Sequence, residues 1–149
     1  MEENLNYLDE VFSLEEPDLR TYSPLTLAYI GDGIYELMIR TILVKQGNKQ
    51  VNKLHREAAS MVKAHAQSSM MEVLEPVLTE EELAVYKRGR NAKSFTVAKN
   101  ASVMDYRRAT GFEAVMGYLY LSRQNKRMID LIRIGLDSIK DQRNDNHNR

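Results

Sequence analysis

Three carboxylates stand in stretches that otherwise carry no charge. In residues 27–39, LAYIGDGIYELMI, Asp32 and Glu36 are the only charged residues; in residues 109–121, ATGFEAVMGYLYL, Glu113 is the only one. Apolar side chains around most of a helix predict a mostly buried helix, and a bare buried carboxylate costs several kcal/mol unless it is paired or holds a metal. The nearest bases, Arg40 and Arg108, lie a turn or more away along the chain. A hard cation with oxygen ligands removes that cost, and magnesium is the usual one where a phosphate ester reacts. Gly31 and Gly33 flank Asp32. Glycine in a helix costs about 1 kcal/mol relative to alanine, so the pair suggests bulk removed to let something large approach. Bland readings stand beside these: Asp32 as a polar-face or cap residue, and Glu113 with a backbone partner. Glu36 lies four residues before Arg40, and an intrahelical ion pair is the favoured reading, with at most a supporting role at a site.

A second feature is charge placement. The 149 residues sum to zero net charge, yet residues 1–18 hold seven acids and no base, while residues 87–108 hold seven bases and only Asp105 as an acid. Most charge runs are solvated surface. This one is concentrated and interrupted by Gly89 and Asn91, whose donors suit phosphates, so Lys87, Arg88, Arg90, Asn91 and Lys93 are candidate phosphate contacts on a polyanion.

Other chemistries are excluded. Without cysteine there is no disulfide, zinc–thiolate site or thiol nucleophile, which suits a reducing cytoplasm. His55, His65 and His147 lack metal spacing, no Glu-x-x-His pair suggests a di-iron bundle, and no P-loop, dinucleotide fingerprint or nucleophile elbow occurs. The N-terminal segment does not read as a secretory signal, and the apolar stretches fall short of a membrane span.

The elements that must position the acids read as helix after helix, an all-α chain. Ser23-Pro24 starts a helix over 25–46 that Gly47 stops. A second helix runs from near Asn52 to before Pro76, with Leu54, Ala58, Met61 and Val62 inward and His55 and His65 on its surface. Thr79 and Glu82 form a capping box for a third, with Leu83 and Tyr86 on one face. Residues 87–100 read as a loop with a short strand over 94–97. Helix returns near Ser102, and a last one spans 126–139 with Met128, Leu131, Ile132, Leu136 and Ile139 inward. A short amphipathic helix is expected over 5–12. The domain reading is an acidic extension at 1–21, a single domain at 22–140 and a polar, disordered tail at 141–149.

Together these residues resemble a known family. LAYIGDGIYE resembles the ribonuclease III signature helix, and ATGFEAVMGYLYL resembles that family's second acidic helix. With NKLHREAASMV, YKRGRNAKS and YRRATGFEA, the chain is similar to the Mini-ribonuclease III branch, which has a catalytic domain and no double-stranded-RNA-binding domain. The resemblance covers roughly 22–140. It implies the ribonuclease III endonuclease fold, a homodimer with the 25–46 helix at its interface, and cleavage of double-stranded RNA to 5′-phosphate products. Asp32 and Glu113 would be catalytic and bind Mg2+, with Mn2+ able to substitute. The implied substrate is the base-paired ends of precursor 23S ribosomal RNA, with a ribosomal protein as helper, no DNA and no membrane. The family's other acids fall on Leu25, Ala28 and Thr110 here, so the metal shell is slimmer. The rival reading is a non-catalytic double-stranded-RNA-binding dimer of the same fold.

Overall fold

Ser23 caps the first long helix as the Ser-Pro pair predicts: its hydroxyl accepts from the Leu25 amide, Pro24 takes the first position, and Gly47 ends it. In a computed structural model describing residues 2–93 and 102–147, with side chains through Gln142, this helix is the second of seven. They are α1 (Glu2–Phe12), α2 (Pro24–Gln46), α3 (Val51–Val62), α4 (Ala64–Leu74), α5 (Glu80–Asn91), α6 (Val103–Leu121) and α7 (Asn125–His147). Short 3-10 turns lie at Leu19–Thr21 and Glu75–Val77, and no strand occurs among the described residues.

Helix α6 is the axis of the molecule. It packs on α2, α5, α4 and α7, so Phe112, Ala114, Val115, Met116 and Leu119 are all buried. The core around them draws Leu27, Tyr35 and Ile39 from α2, Met70 and Leu74 from α4, Tyr86 from α5, and Met128 and Leu131 from α7. Tyr35 and Phe112 meet edge to face, 4.9 Å between centroids. Against this core α1 buries nothing. It is held by Arg123 in the α6–α7 turn, whose guanidinium donates to Asn6, Asp9 and Glu16 and so neutralises part of the acidic segment.

Four expectations change. Helix α2 is not buried all round: Leu27, Ala28, Ile34, Tyr35, Ile39 and Leu43 face inward, while Leu25, Tyr29, Leu37 and Val44 form an exposed apolar row on the other side. The helix expected from Asn52 to Pro76 is two, broken at Lys63, whose extended backbone (ψ 154°) turns the chain; His65 therefore sits on α4. No glycine or proline marks that break. It is stabilised from elsewhere, because the Tyr35 hydroxyl donates to the Met61 carbonyl at 2.9 Å and the Gln67 amide to the Val62 carbonyl at 3.1 Å, satisfying acceptors at the end of α3. Lys87–Asn91 is not loop: the capping box at Thr79 and Glu82 starts α5, and the helix runs through the basic residues to Asn91. Gly89 permits close packing there, since a Cβ would lie 2.9 Å from the Gly111 Cα. Finally, α7 continues past the expected end at Ile139 to His147. The short strand expected over 94–97 lies outside the described residues.

Candidate active site

The site is built by one helix crossing. A Cβ on Gly31 would lie 1.7 Å from the Glu113 carbonyl oxygen, and one on Gly117 would lie 1.9 Å from the Leu27 carbonyl oxygen. The two glycines thus let α2 and α6 touch backbone to backbone, closer than any side chain permits. The residue after Gly31 is Asp32, and the helix turn that Gly31 touches carries Glu113. The crossing brings the two carboxyl groups close enough for Asp32 to act on the protonation of Glu113.

Their environments differ. Asp32 is exposed, whereas Glu113 is mostly enclosed between the helices. Burial first, then the hydrogen bond and the charge of Asp32, push the Glu113 carboxyl up to about 9. At neutral pH Glu113 therefore holds a proton. Neither acid has a basic partner among the described residues; Arg40 is spent on Glu36 at 2.9 Å, the intrahelical pair its spacing predicts. An acid pair of which one member, Glu113, keeps its proton at neutral pH is short of positive charge. Such an oxygen donor set fits a hard divalent cation, which would displace the proton. The described residues offer no cluster of three or more His, Cys, Asp or Glu, so most of such an ion's coordination would come from water and substrate oxygens. The positions of the family's other acids add nothing: Leu25 is apolar and partly exposed, Ala28 is buried, and the Thr110 hydroxyl donates back to the Tyr106 carbonyl at 3.0 Å.

The flanking glycines have unlike roles. Gly31 serves helix packing rather than access for a large group, while Gly33 has open space around it. Among the basic candidates, Lys87 and Lys93 are exposed. The Arg88 guanidinium donates to the Tyr22 carbonyl, and Arg90 lies over the Tyr86 ring and bonds Asn91, so these three are partly engaged within the chain. Sequence reasoning missed Tyr35. One turn beyond Asp32, fully buried, its phenol is raised above its usual range by burial and by the Glu113 charge, and it links the site to the end of α3. The one signal was a hydroxyl-bearing ring in an apolar run.

Comparison with known proteins places this chain in a class. The family model for the ribonuclease III domain matches residues 25–124, which include both acids. The chain is 49% identical over 129 residues to the Mini-ribonuclease 3 of Clostridium tetani, covering 86% of this chain and 84% of that protein. It is 53% identical over 117 residues to the Mini-ribonuclease 3 of Enterococcus faecalis, covering 77% and 89%. A crystal structure of protein FN1578 from Fusobacterium nucleatum superposes with a TM-score of 0.73 at 33% identity, over 80% of this chain and 96% of that one. The chain belongs to the ribonuclease III family and, within it, to the Mini-ribonuclease 3 group.

Proposed function

We propose that this chain cleaves double-stranded RNA as a magnesium-dependent homodimer, with Asp32 and Glu113 as the metal-binding, catalytic carboxylates. Family membership makes it a ribonuclease III-type endoribonuclease. The observation that carries the residue assignment is the Gly31–Gly117 crossing, which sets the two acids against each other with no base among the described residues to neutralise them. Asp32, exposed, would meet the cation first; Glu113, enclosed, would give up its proton as the cation arrives. When bound, magnesium supplies an acidified water and neutralises charge on the phosphodiester, and Mn2+ has the same hard-oxygen preference. The chain's own part is to fix the two carboxylates on a rigid crossing, with Tyr35 and Phe112 packed behind.

The proposed catalytic unit spans 22–140, preceded by the acidic extension and followed by a polar tail. Its proposed substrate is the base-paired ends of precursor 23S ribosomal RNA, aided by a ribosomal protein, in the cytoplasm. No helix of the described residues is long and apolar enough to cross a membrane. Lys87, Arg88, Arg90, Asn91 and Lys93 are proposed to meet RNA phosphates, the two engaged arginines by exchanging their partners within the chain.

The test is incubation with a long double-stranded RNA at low salt, with magnesium or with EDTA, beside Asp32→Asn. Cleavage that needs magnesium and is lost in a folded Asp32→Asn supports the assignment. Duplex binding with no cleavage of this RNA or of a ribosomal stem would favour a non-catalytic RNA-binding dimer, a reading supported by Leu25, Ala28 and Thr110 standing where the family carries further acids.

A further inference from the structure

A charged surface outside the residues already discussed lies on α3. At helical spacing of four, three and four residues, Asn52, Arg56, Ala59 and Lys63 fall on one line, and Lys53 flanks it; all five are exposed. The only acid on α3, Glu57, is off this line and is taken by Lys49 at 3.0 Å. The side chains of Lys53, Arg56 and Lys63 make no ion pair or hydrogen bond among the described residues. Three cations without a side-chain partner, Lys53 and Arg56 on α3 and Lys63 at its C-terminal cap, in a chain of zero net charge, are a local excess that nothing among the described residues neutralises.

The direction of the row ties it to the site. The start of α3 borders the end of α2, where Arg40, Leu43 and Val44 enclose a cavity of about 240 Å³ with Val51, Leu54, His55 and Ala58. The end of α3 meets Tyr35 through the Met61 carbonyl. Helix α3 therefore runs antiparallel to α2, from the Arg40–Val44 end toward the end that carries Asp32 and Tyr35, and Lys63 follows Met61 by two residues. Just past it, His65 bonds Asp105 at 3.1 Å, at the start of α6. The row covers roughly 16 Å at the rise of an α-helix, long enough to follow several phosphates of one strand.

We infer that Lys53, Arg56 and Lys63 form a phosphate track that guides a double-stranded RNA backbone along α3 toward Asp32. The track rests on the duplex-RNA reading above and adds a binding surface separate from residues 87–93. Its contribution is electrostatic and sequence-independent, so it acts on affinity and on salt dependence rather than on where the strand is cut.

The experiment measures duplex-RNA affinity of the full chain across a salt series, in EDTA so that nothing is cleaved. The variant is Lys53→Gln/Arg56→Gln/Lys63→Gln, since glutamine keeps helix propensity and removes charge. The control is Lys126→Gln/Lys140→Gln, two exposed bases on α7 without an ion-pair partner. Circular dichroism checks that each is folded. Each phosphate contact contributes about 0.9 to the slope of log affinity against log salt. The track predicts a slope lower by about 2 to 3 in the triple variant, affinity reduced tenfold or more at low salt, and no change in the control. An unchanged slope in the triple variant, or an equal fall per charge in the control, overturns the track and leaves the nuclease reading intact. A wild-type chain that binds no duplex RNA at any salt overturns the nuclease reading itself, and the track with it.

Discussion

At the scale of single residues, the acid pair makes opposing demands on stability and function. Glu113 keeps its proton in the folded chain up to about pH 9, whereas the unfolded chain releases it near the ordinary glutamate value of 4.5. The folded state therefore binds more protons than the unfolded one across that window, and stability without metal falls as pH rises from about 4.5 to about 9. Glu113→Gln is neutral at every pH and escapes this penalty. In EDTA at pH 8 to 9 it is expected to be more stable than the wild type by about 1–3 kcal/mol, or several degrees in melting temperature. At pH 4 the two should melt together. A wild-type melting curve with no slope across this window, or a less stable Glu113→Gln at pH 9, would remove the protonated-pair picture. The same variant should lose cleavage, which separates the stability role of this residue from its proposed catalytic one. Magnesium should behave oppositely to the proton: affinity rises with pH through the same window, and calorimetry in buffers of different ionisation enthalpy should register a proton released on binding.

At the scale of elements, the crossing of α2 and α6 decides the site, and the two glycines beside Asp32 give a sharp contrast. Gly31→Ala drives a methyl to 1.7 Å from the Glu113 carbonyl, so the helices must separate; a loss of 3 kcal/mol or more and of activity is expected. Gly33→Ala meets nothing within 4 Å and gains helix propensity of about 1 kcal/mol within a single chain. Denaturant unfolding of the two variants reads both numbers, and equal effects would mean the crossing is not as close as described. A second element-level prediction concerns α5. Burial alone would raise the Glu82 carboxyl, but two hydrogen bonds from Arg127, aided by the Thr79 amide and hydroxyl, hold it below the usual range. Arg127→Met leaves that buried acid facing only its own cap, and should destabilise the fold by about 3 kcal/mol. What was legible in the sequence follows the same lines. The caps at Ser23 and Thr79, the stop at Gly47 and the Glu36–Arg40 pair are local chemistry, and local spacing reveals them. The break at Lys63 and the helical conformation of Lys87–Asn91 are set by partners distant in sequence, Tyr35 for the one and the Gly89–Gly111 contact for the other. The acids were legible as anomalies, because a lone charge in an apolar run needs a cause. That they meet each other is a property of the crossing, which no spacing within either helix encodes. Gly31 was conspicuous but misread, since a glycine that removes bulk for a ligand and one that removes it for a neighbouring helix look alike in one dimension.

At the scale of the whole molecule, one face of α2 is exposed and has no partner among the described residues. Leu25, Tyr29, Leu37 and Val44 recur along about 28 Å of helix, with Tyr29 82% and Leu37 54% exposed, and Gly33 lies between them in open space. An apolar row of that length on the helix bearing Asp32 is costly in water and is what a self-complementary contact buries. In the proposed homodimer this face meets its copy, and Gly33 lets the two α2 helices approach closely, so that the two Asp32–Glu113 pairs lie on one assembly, one for each RNA strand. Tyr29→Asp/Leu37→Asp is the discriminating variant, because both positions are exposed in the single chain and the charges should leave its fold intact. Sedimentation at micromolar concentration is expected to give a dimer for the wild type and a monomer for the variant, with matching circular dichroism. Cleavage of both strands of a duplex should fall by at least tenfold in the variant, while its carboxylates and their pH dependence stay as they were. A wild type that sediments as a monomer, or a variant that remains a dimer, would show that α2 is not the interface. If Gly33→Ala stabilises the variant monomer by the expected propensity gain yet weakens dimerisation in the wild type, the glycine's role belongs to the assembly and not to the chain.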